Sequence, residues 1–273
     1  MNESESWYPS VITFNMWRDE HCRNCIQALL DQDTTQPFEI VRWQIGPTTV
    51  NTEDFQLPEH VSIIKIDLKK EEQLNLSKSR NIVVDQAKWD YLHFVDIDCV
   101  VEADYVETMN KALQEDPKRV YTASVSYYSK WNKQVDRTRD VIPWEQLSYD
   151  LVRTLTLSLH RDQFENIWGF DEWYVGYGGE DTDFGRAMRS LHIPYIWTST
   201  RLYHQWHPSY SPPVLAVEPI VRNANYGYQK WGERFMQWWL EKFEELWLVT
   251  KEKETYNVVR ALTKDEAQEF LVW

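Results

Sequence analysis

Short apolar runs alternate with amphipathic stretches along the first half of the chain. "SVITF" (10–14), "FEIVRW" (38–43), "HVSIIKIDL" (60–68) and "YLHFVDI" (91–97) have the length and β-branched content of strands. Between the first two, "DEHCRNCIQALLDQ" (19–32) places Ile26, Leu29 and Leu30 on one face of a helix, and a second helix is predicted from about Ser77 to Lys88. A helix over 101–114, a strand over 119–128 and a strand running into a short helix over 153–167 continue the alternation. This order predicts an α/β fold, a Rossmann-like and mostly parallel sheet flanked by helices. In such sheets ligands sit beyond the carboxyl ends of the strands. Residues 129–150 are polar and aromatic without a period and predict a loop.

The pattern changes after Pro212. "VEPIVRNANYGYQKWGERFMQWWLEKFEELWLV" (217–249) is helical in period and heavy in Trp, and Thr263 and Glu266 stand at capping-box spacing. The chain therefore divides into a body, 1–212, and a helical C-terminal extension, 213–273. Aromatic residues surround much of 235–249, so this helix covers the body, pairs with another subunit or lies on a membrane. Packing on the body is the ordinary outcome.

Charge narrows the partners. Of 273 residues, 29 are basic and 43 acidic, a balance of −14 that disfavours nucleic acid and anionic membrane alike. The start "MNESESWYPS" has no cationic segment leading an apolar one, and no apolar run is long enough to span a bilayer. Cys22, Cys25 and Cys99 cannot all pair, which fits a reducing compartment; a cytoplasmic protein, at most peripheral at the inner face of the membrane, is expected. The C-x-x-C spacing of Cys22 and Cys25 lies in an ordinary amphipathic helix and reads as structural.

Three stretches carry chemistry. In "HFVDIDCVV" (93–101), strand alternation sends Asp96 and Asp98 to one face where the strand leaves the sheet. Two carboxylates so close call for a compensating cation, and Mg²⁺ or Mn²⁺ is the economical one. In "RLYHQWHPSY" (201–210), His204 and His207 follow an extended segment; imidazole beside two carboxylates favours Mn²⁺. In "GYGGEDTDFG" (176–185), three glycines precede Glu180, Asp181 and Asp183 at a helix start. Asp183 reads as plain capping chemistry. Glu180 and Asp181, with Trp173, Tyr174 and Tyr177 nearby, read as carboxylates that meet a sugar and its hydroxyls.

"NLSKSRN" (75–81), "DYLHFVDIDCVVEADYV" (90–106), "WGFDEWYVGYGGEDTDFGRAMR" (168–189) and "YHQWHP" (203–208), in this order, resemble the metal-dependent nucleotide-sugar glycosyltransferases of the GT-A fold. Within that group the chain is similar to glycosyltransferase family two with a galactosyltransferase-type C-terminal motif. The resemblance implies a nucleotide-binding half over about 10–100 and an acceptor half over 101–212. It implies Asp181 as the catalytic base, Glu180, Tyr177 and Trp173 at the acceptor, and Asn15, Arg18, Arg80 and Asp96 at the donor. Asp98 is implied as a metal ligand with Asp96 and His204, His207 being the alternative to His204. Many relatives carry an acid after the second strand where this chain has Gln44, so the base of the nucleotide is not read from the motif.

The implied activity is inverting transfer of a hexose from a nucleotide-diphosphate sugar, a UDP-sugar favoured, to a hydroxyl of a glycan or glycoconjugate, with Mn²⁺ or Mg²⁺ as cofactor. Polysaccharide biosynthesis is the natural setting, and the C-terminal helices are the place for any oligomer contact. Two other classes compete. A metal-dependent nucleotide-sugar phosphohydrolase would use Asp96, Asp98 and His204 but leaves the glycine-acid loop unexplained. A non-catalytic carbohydrate-binding protein would use the Trp and Tyr faces but has no need of the paired acids.

Overall fold

The computed structural model describes residues 8–68, 74–130, 134–138 and 142–272. Four parallel strands form one half of its main sheet: β1 (Pro9–Asn15), β2 (Phe38–Ile45), β3 (Val61–Leu68) and β4 (Tyr91–Val95), in the order β3-β2-β1-β4. Helix α1 (Asp19–Leu30) makes the crossover from β1 to β2, and α2 (Leu76–Gln86) the one from β3 to β4. After β5 (Cys99–Val101) and α3 (Tyr105–Glu115), the second half adds β6 (Val120–Tyr128), β7 (Val135–Thr138), β8 (Thr156–His160) and β9 (Tyr195–His204). The sheet continues β4-β8-β6-β9-β5, and β7 pairs with the outer part of β6. In this half β8 runs antiparallel to β4 and β6, while β9 is parallel to β6. Strand β7 occupies part of the stretch expected to be loop; residues 131–133 and 139–141 of that stretch lie outside the described residues.

Strand alternation builds a core on each face. Val11 and Ile40 point into one with Cys22, Ile26 and Leu29 of α1 and Met109 and Leu113 of α3. Their neighbours Ile12 and Val41 point into the other with Val83 and Val84 of α2 and the rings Phe164, Phe170 and Phe184. Cys22, Cys25 and Cys99 are free thiols in the first core. Burial pushes the Cys22 thiol up to about 11 and that of Cys25 higher still, so both are inert packing groups, as the helix pattern implied.

The C-terminal segment contains the expected helices and more. Helices α4 (Arg161–Asn166) and α5 (Glu180–Ser190) belong to the body; α6 (Val217–Trp231) and α7 (Gln237–Glu245) follow. The helical pattern over 217–249 is broken because Gly232 and Met236 both take positive φ, and α7 starts afresh at Gln237. Strands β11 (Val249–Glu252) and β12 (Thr255–Val258) form a hairpin, and β10 (Ser209–Tyr210) pairs with β13 (Leu271–Val272), tying the chain's end to the exit of β9. The capping box is present: Thr263 N–H and Oγ1 donate to Glu266 Oε2, and Glu266 N–H donates back to Thr263 Oγ1. A third apolar cluster, with Ile220, Val221, Leu240, Phe243 and Tyr256, holds this segment together. None of the helices is long and apolar enough to cross a membrane, among the described residues.

Candidate active site

The two acids of the D-x-D stretch do not share one face. Strand β4 ends at Val95, and Cys99 N–H donates to Asp96 O (2.9 Å), closing a tight turn that parts the side chains. Asp98 goes to the histidines. Antiparallel pairing of β5 with β9 sets Cys99 opposite His204, and Gln205 N–H donates to Asp98 O (2.6 Å), so the end of β9 is fixed against the turn. His204 Nε2 lies 3.7 Å and His207 Nε2 3.3 Å from Asp98 Oδ2, and Arg18, from the β1–α1 loop, also contacts that oxygen.

Burial opposes ionisation of Asp98, but the hydrogen bond from His207 and the charges of His204 and Arg18 outweigh it and hold the carboxyl well below the usual carboxylate range. Burial lowers the pKa of His204, opposed by the charge of Asp98. One ligand atom from each of Asp98, His204 and His207 lies within 4.8 Å of the others. One carboxylate with two imidazoles is a donor set that fits Mn²⁺. His207 thus stands with His204 against the same carboxylate oxygen.

Asp96 turns to the opposite end. There Arg80, 4 % exposed, reaches three acids: Nη2 is 4.0 Å from Asp96 Oδ1, and Nη1 is 3.5 Å from Glu180 Oε1 and 3.8 Å from Asp181 Oδ1. Its Nη2 also donates to Thr154 Oγ1 (2.5 Å), and the guanidinium stands 5.0 Å from the Phe170 ring centre. Arg80 is positioned by its neighbours in "NLSKSRN". Asn75 caps α2 by accepting from Lys78 N–H, and Asn81 both donates to Phe170 O and accepts from Phe170 N–H.

Burial raises the pKa of Asp96, with Arg80 opposing and the charges of Asp98, Asp181 and Glu180 adding to the rise. Burial likewise raises that of Glu180, helped by Asp181 and opposed by Arg80. Asp181 Oδ1 and Arg80 Nη1 are shielded from solvent and have no hydrogen-bond partner among the described residues. Asp181 Oδ2 accepts one long bond, from Thr154 N–H at 3.4 Å.

Glu180 and Asp181 open α5 directly after Gly178 and Gly179, and the glycines answer to the C-terminal segment. Both have positive φ, +85° and +99°. A Cβ at Gly178 would stand 2.6 Å from Met236 Sδ, and one at Gly179 2.8 Å from the Tyr174 ring. Asn223 of α6 donates to the carbonyls of Val175 (3.1 Å) and Gly178 (2.8 Å), clamping the loop. Asp183, expected to be mere capping, is 3 % exposed and accepts from Tyr174 Oη, Lys230 Nζ and Trp231 Nε1, fixing α6 to α5.

Both ends face one cleft of about 460 Å³ lined by Arg18, Arg80, Asp96, Asp98, Tyr177, Glu180, Asp181, His204 and His207. Phe14, Arg153, Thr154, Met236 and Trp239 also line it, and none of these was singled out from the sequence. Two expected site residues do not. Trp173 is 75 % exposed and stacks on Tyr226 outside the cleft, since Asp171 Oδ1 accepts its backbone N–H and turns the loop there. Asn15 is fully buried and positions the β1–α1 loop, accepting from Arg18 N–H and donating to Asp19 and Thr48. Gln44 is also off the cleft; its Nε2 donates to Gly46 O (3.0 Å) and braces the exit of β2.

Comparison with known proteins agrees with the fold. The sequence profile of "Glycosyl transferase family 2" matches residues 10–174, more than half of the chain, ending just before the glycine loop. Among proteins with curated descriptions, none matches the sequence. Among solved structures, S. aureus TarS (residues 1–349) is similar with a TM-score of 0.56 at 15 % identity, covering 81 % of this chain and 72 % of that one. The same protein in complex with UDP-GlcNAc gives 0.58 at 13 %, covering 87 % and 80 %. GalNAc-T7 with UDP, GalNAc and Mn²⁺ gives 0.51 at 12 %, covering 89 % of this chain but 57 % of that one.

Proposed function

The chain belongs to glycosyl transferase family 2, and from that premise we propose that it is a metal-dependent, inverting glycosyltransferase that moves a hexose from a UDP-sugar to a hydroxyl of a glycan or glycoconjugate. The observation that carries this reading is the cleft itself. One end gathers Asp98, His204 and His207, the other presents Asp181 beside Arg80, and both line the same 460 Å³ space. A phosphohydrolase would have no use for the second end. UDP is favoured because the similar structures of TarS and GalNAc-T7 hold UDP-GlcNAc and UDP.

In this reading Asp98, His204 and His207 hold Mn²⁺, which when bound supplies positive charge against the departing diphosphate. Arg18, at the same end, places a second cation on the donor's phosphate side. Arg80 Nη1, 3.8 Å from Asp181 Oδ1, holds the carboxylate in place, and Thr154 N–H orients Oδ2. Asp181 then takes the proton of the acceptor hydroxyl as that oxygen attacks the anomeric carbon on the face opposite the leaving group. A single displacement of this kind inverts configuration. Glu180, held toward its neutral form, donates or accepts a hydrogen bond at a neighbouring hydroxyl.

Two measurements test the reading. Titration calorimetry with UDP, other nucleoside diphosphates and UDP-hexoses, each with Mn²⁺ and with chelator, should give binding of a uridine nucleotide that chelator abolishes. Asp181→Asn should keep that binding and lose about 10³-fold in transfer. Wild-type transfer rates in that variant would refute the base assignment.

A further inference from the structure

The C-terminal segment does more than cover the body: it forms part of the cleft wall. Met236 precedes α7 in a positive-φ conformation that side chains rarely adopt, and its Sδ lies 2.6 Å from where a Cβ at Gly178 would stand. One turn on, Trp239 lies with its Cζ3 3.4 Å from the Cβ position of Gly178. Its ring faces Tyr177 at 5.8 Å between centroids and 37° between planes, and both rings line the cleft beside Glu180 and Asp181. Tyr177 is 50 % exposed and Trp239 half-buried, so each keeps ring surface turned to the cleft. The neighbouring Trp238 and Trp247, 51 % and 80 % exposed, do not line it.

We propose that Trp239 and Tyr177 form the platform for the acceptor's pyranose ring, so that a segment outside the family-matched residues selects the acceptor. The inference rests on the transferase reading for the word acceptor, but its physical basis is independent. The C–H bonds on one face of a pyranose carry partial positive charge and suit the negative face of an indole or phenol. Carboxylates at the rim, here Glu180 and Asp181, then meet the equatorial hydroxyls. The tilt between the rings gives the wall two facets, and that shape favours a ring whose hydroxyls leave one C–H face clear. The clamp by Asn223 and the anchoring of Lys230 and Trp231 on Asp183 hold this wall on the rigid body rather than on a loose tail.

The test is saturation-transfer NMR of the full-length protein with methyl β-glucoside, methyl β-galactoside and their 2-acetamido counterparts, with UDP and Mn²⁺ present. Wild type and the control Trp247→Ala should bind at least one of them, with saturation strongest at the protons of one ring face. Trp239→Ala should weaken that binding by about tenfold or more, and Trp239→Phe should restore most of it. A wild type that binds none of the four, or a Trp239→Ala protein that binds as wild type does, overturns the proposal. Consumption of UDP-hexoses in the same samples reports separately on the transferase reading. Trp239-dependent glycoside binding without any consumption would remove that reading and leave the platform standing.

Discussion

The two ends of the cleft hold carboxylates two residues apart in sequence and treat them oppositely. At one end a single acid, Asp98, faces two imidazoles and Arg18, and its carboxyl is held below the usual range. At the other, three acids share one buried guanidinium, and burial lifts Asp96 and Glu180 upward. Donors exceed acids at the first end and acids exceed donors at the second. The first is therefore suited to hold a cation together with an anionic phosphate, and the second to accept a proton. The turn at Asp96–Cys99 produces this division of labour, because it lets one short motif serve both ends.

The severest way to break the contrast is to remove the shared cation. Arg80→Met roughly keeps the side chain's volume beside Phe170 but leaves Asp96, Glu180 and Asp181 facing one another. Losing one partner of a buried charge cluster costs about 3 kcal/mol, and transfer should fall to background as Asp181 is displaced. Chemical denaturation across pH gives the sharper readout. The deficit should shrink as pH falls, since burial already raises the pKa of Asp96 and Glu180 and their protonation relieves the repulsion. An Arg80→Met protein as stable as wild type at neutral pH would show that the three acids do not depend on it.

A milder experiment separates the ends by metal. His204→Ala and His207→Ala should each weaken Mn²⁺ binding by about tenfold or more, measured by titration calorimetry. Asp96→Asn, although it lies in the same D-x-D stretch, should change it only a few-fold, because its carboxyl faces Arg80. Equal losses in all three variants would place Asp96 among the ligands and erase the distinction drawn here.

Much of this arrangement was written in local sequence. Strand and helix periods located β1 to β4 and their crossovers, since apolar alternation reports on the two faces of a sheet directly. The separation of Asp96 from Asp98 was not legible. Alternation predicts a shared face only while a strand continues, and a hydrogen bond between residues 96 and 99 ends it first. Nor could spacing show that His204 and His207 both meet Asp98, which follows from the pairing of β5 with β9 across about a hundred residues. From sequence the glycines before Glu180 read as delivering carboxylates. The closest neighbour of Gly178 is Met236, and only packing of the C-terminal segment reveals that. The anchoring role of Asp183 is hidden for the same reason: its partners Lys230 and Trp231 lie far along the chain.

The smallest expected effect isolates the proton-accepting end in a folding measurement. Glu180 is an acid whose pKa in the folded protein is raised, by burial first and then by Asp181, so the fold binds its proton more tightly than the unfolded chain does. Its protonated form is therefore favoured by folding at acid pH. That stability is lost as pH climbs from the ordinary glutamate range through the raised folded value. Glu180→Gln carries no ionisable group, keeps the shape and retains an acceptor toward Arg80. At neutral pH it should be more stable than wild type by about 1 kcal/mol, a rise in Tm of roughly 2–4 °C, and the difference should vanish below about pH 4. The gain should come with weaker acceptor binding and unchanged Mn²⁺ affinity, since Glu180 lies away from Asp98 and its histidines. A variant less stable than wild type at neutral pH would mean that its ion pair with Arg80, and not its burial, dominates at this position, and the acid-rich end would then be balanced rather than poised.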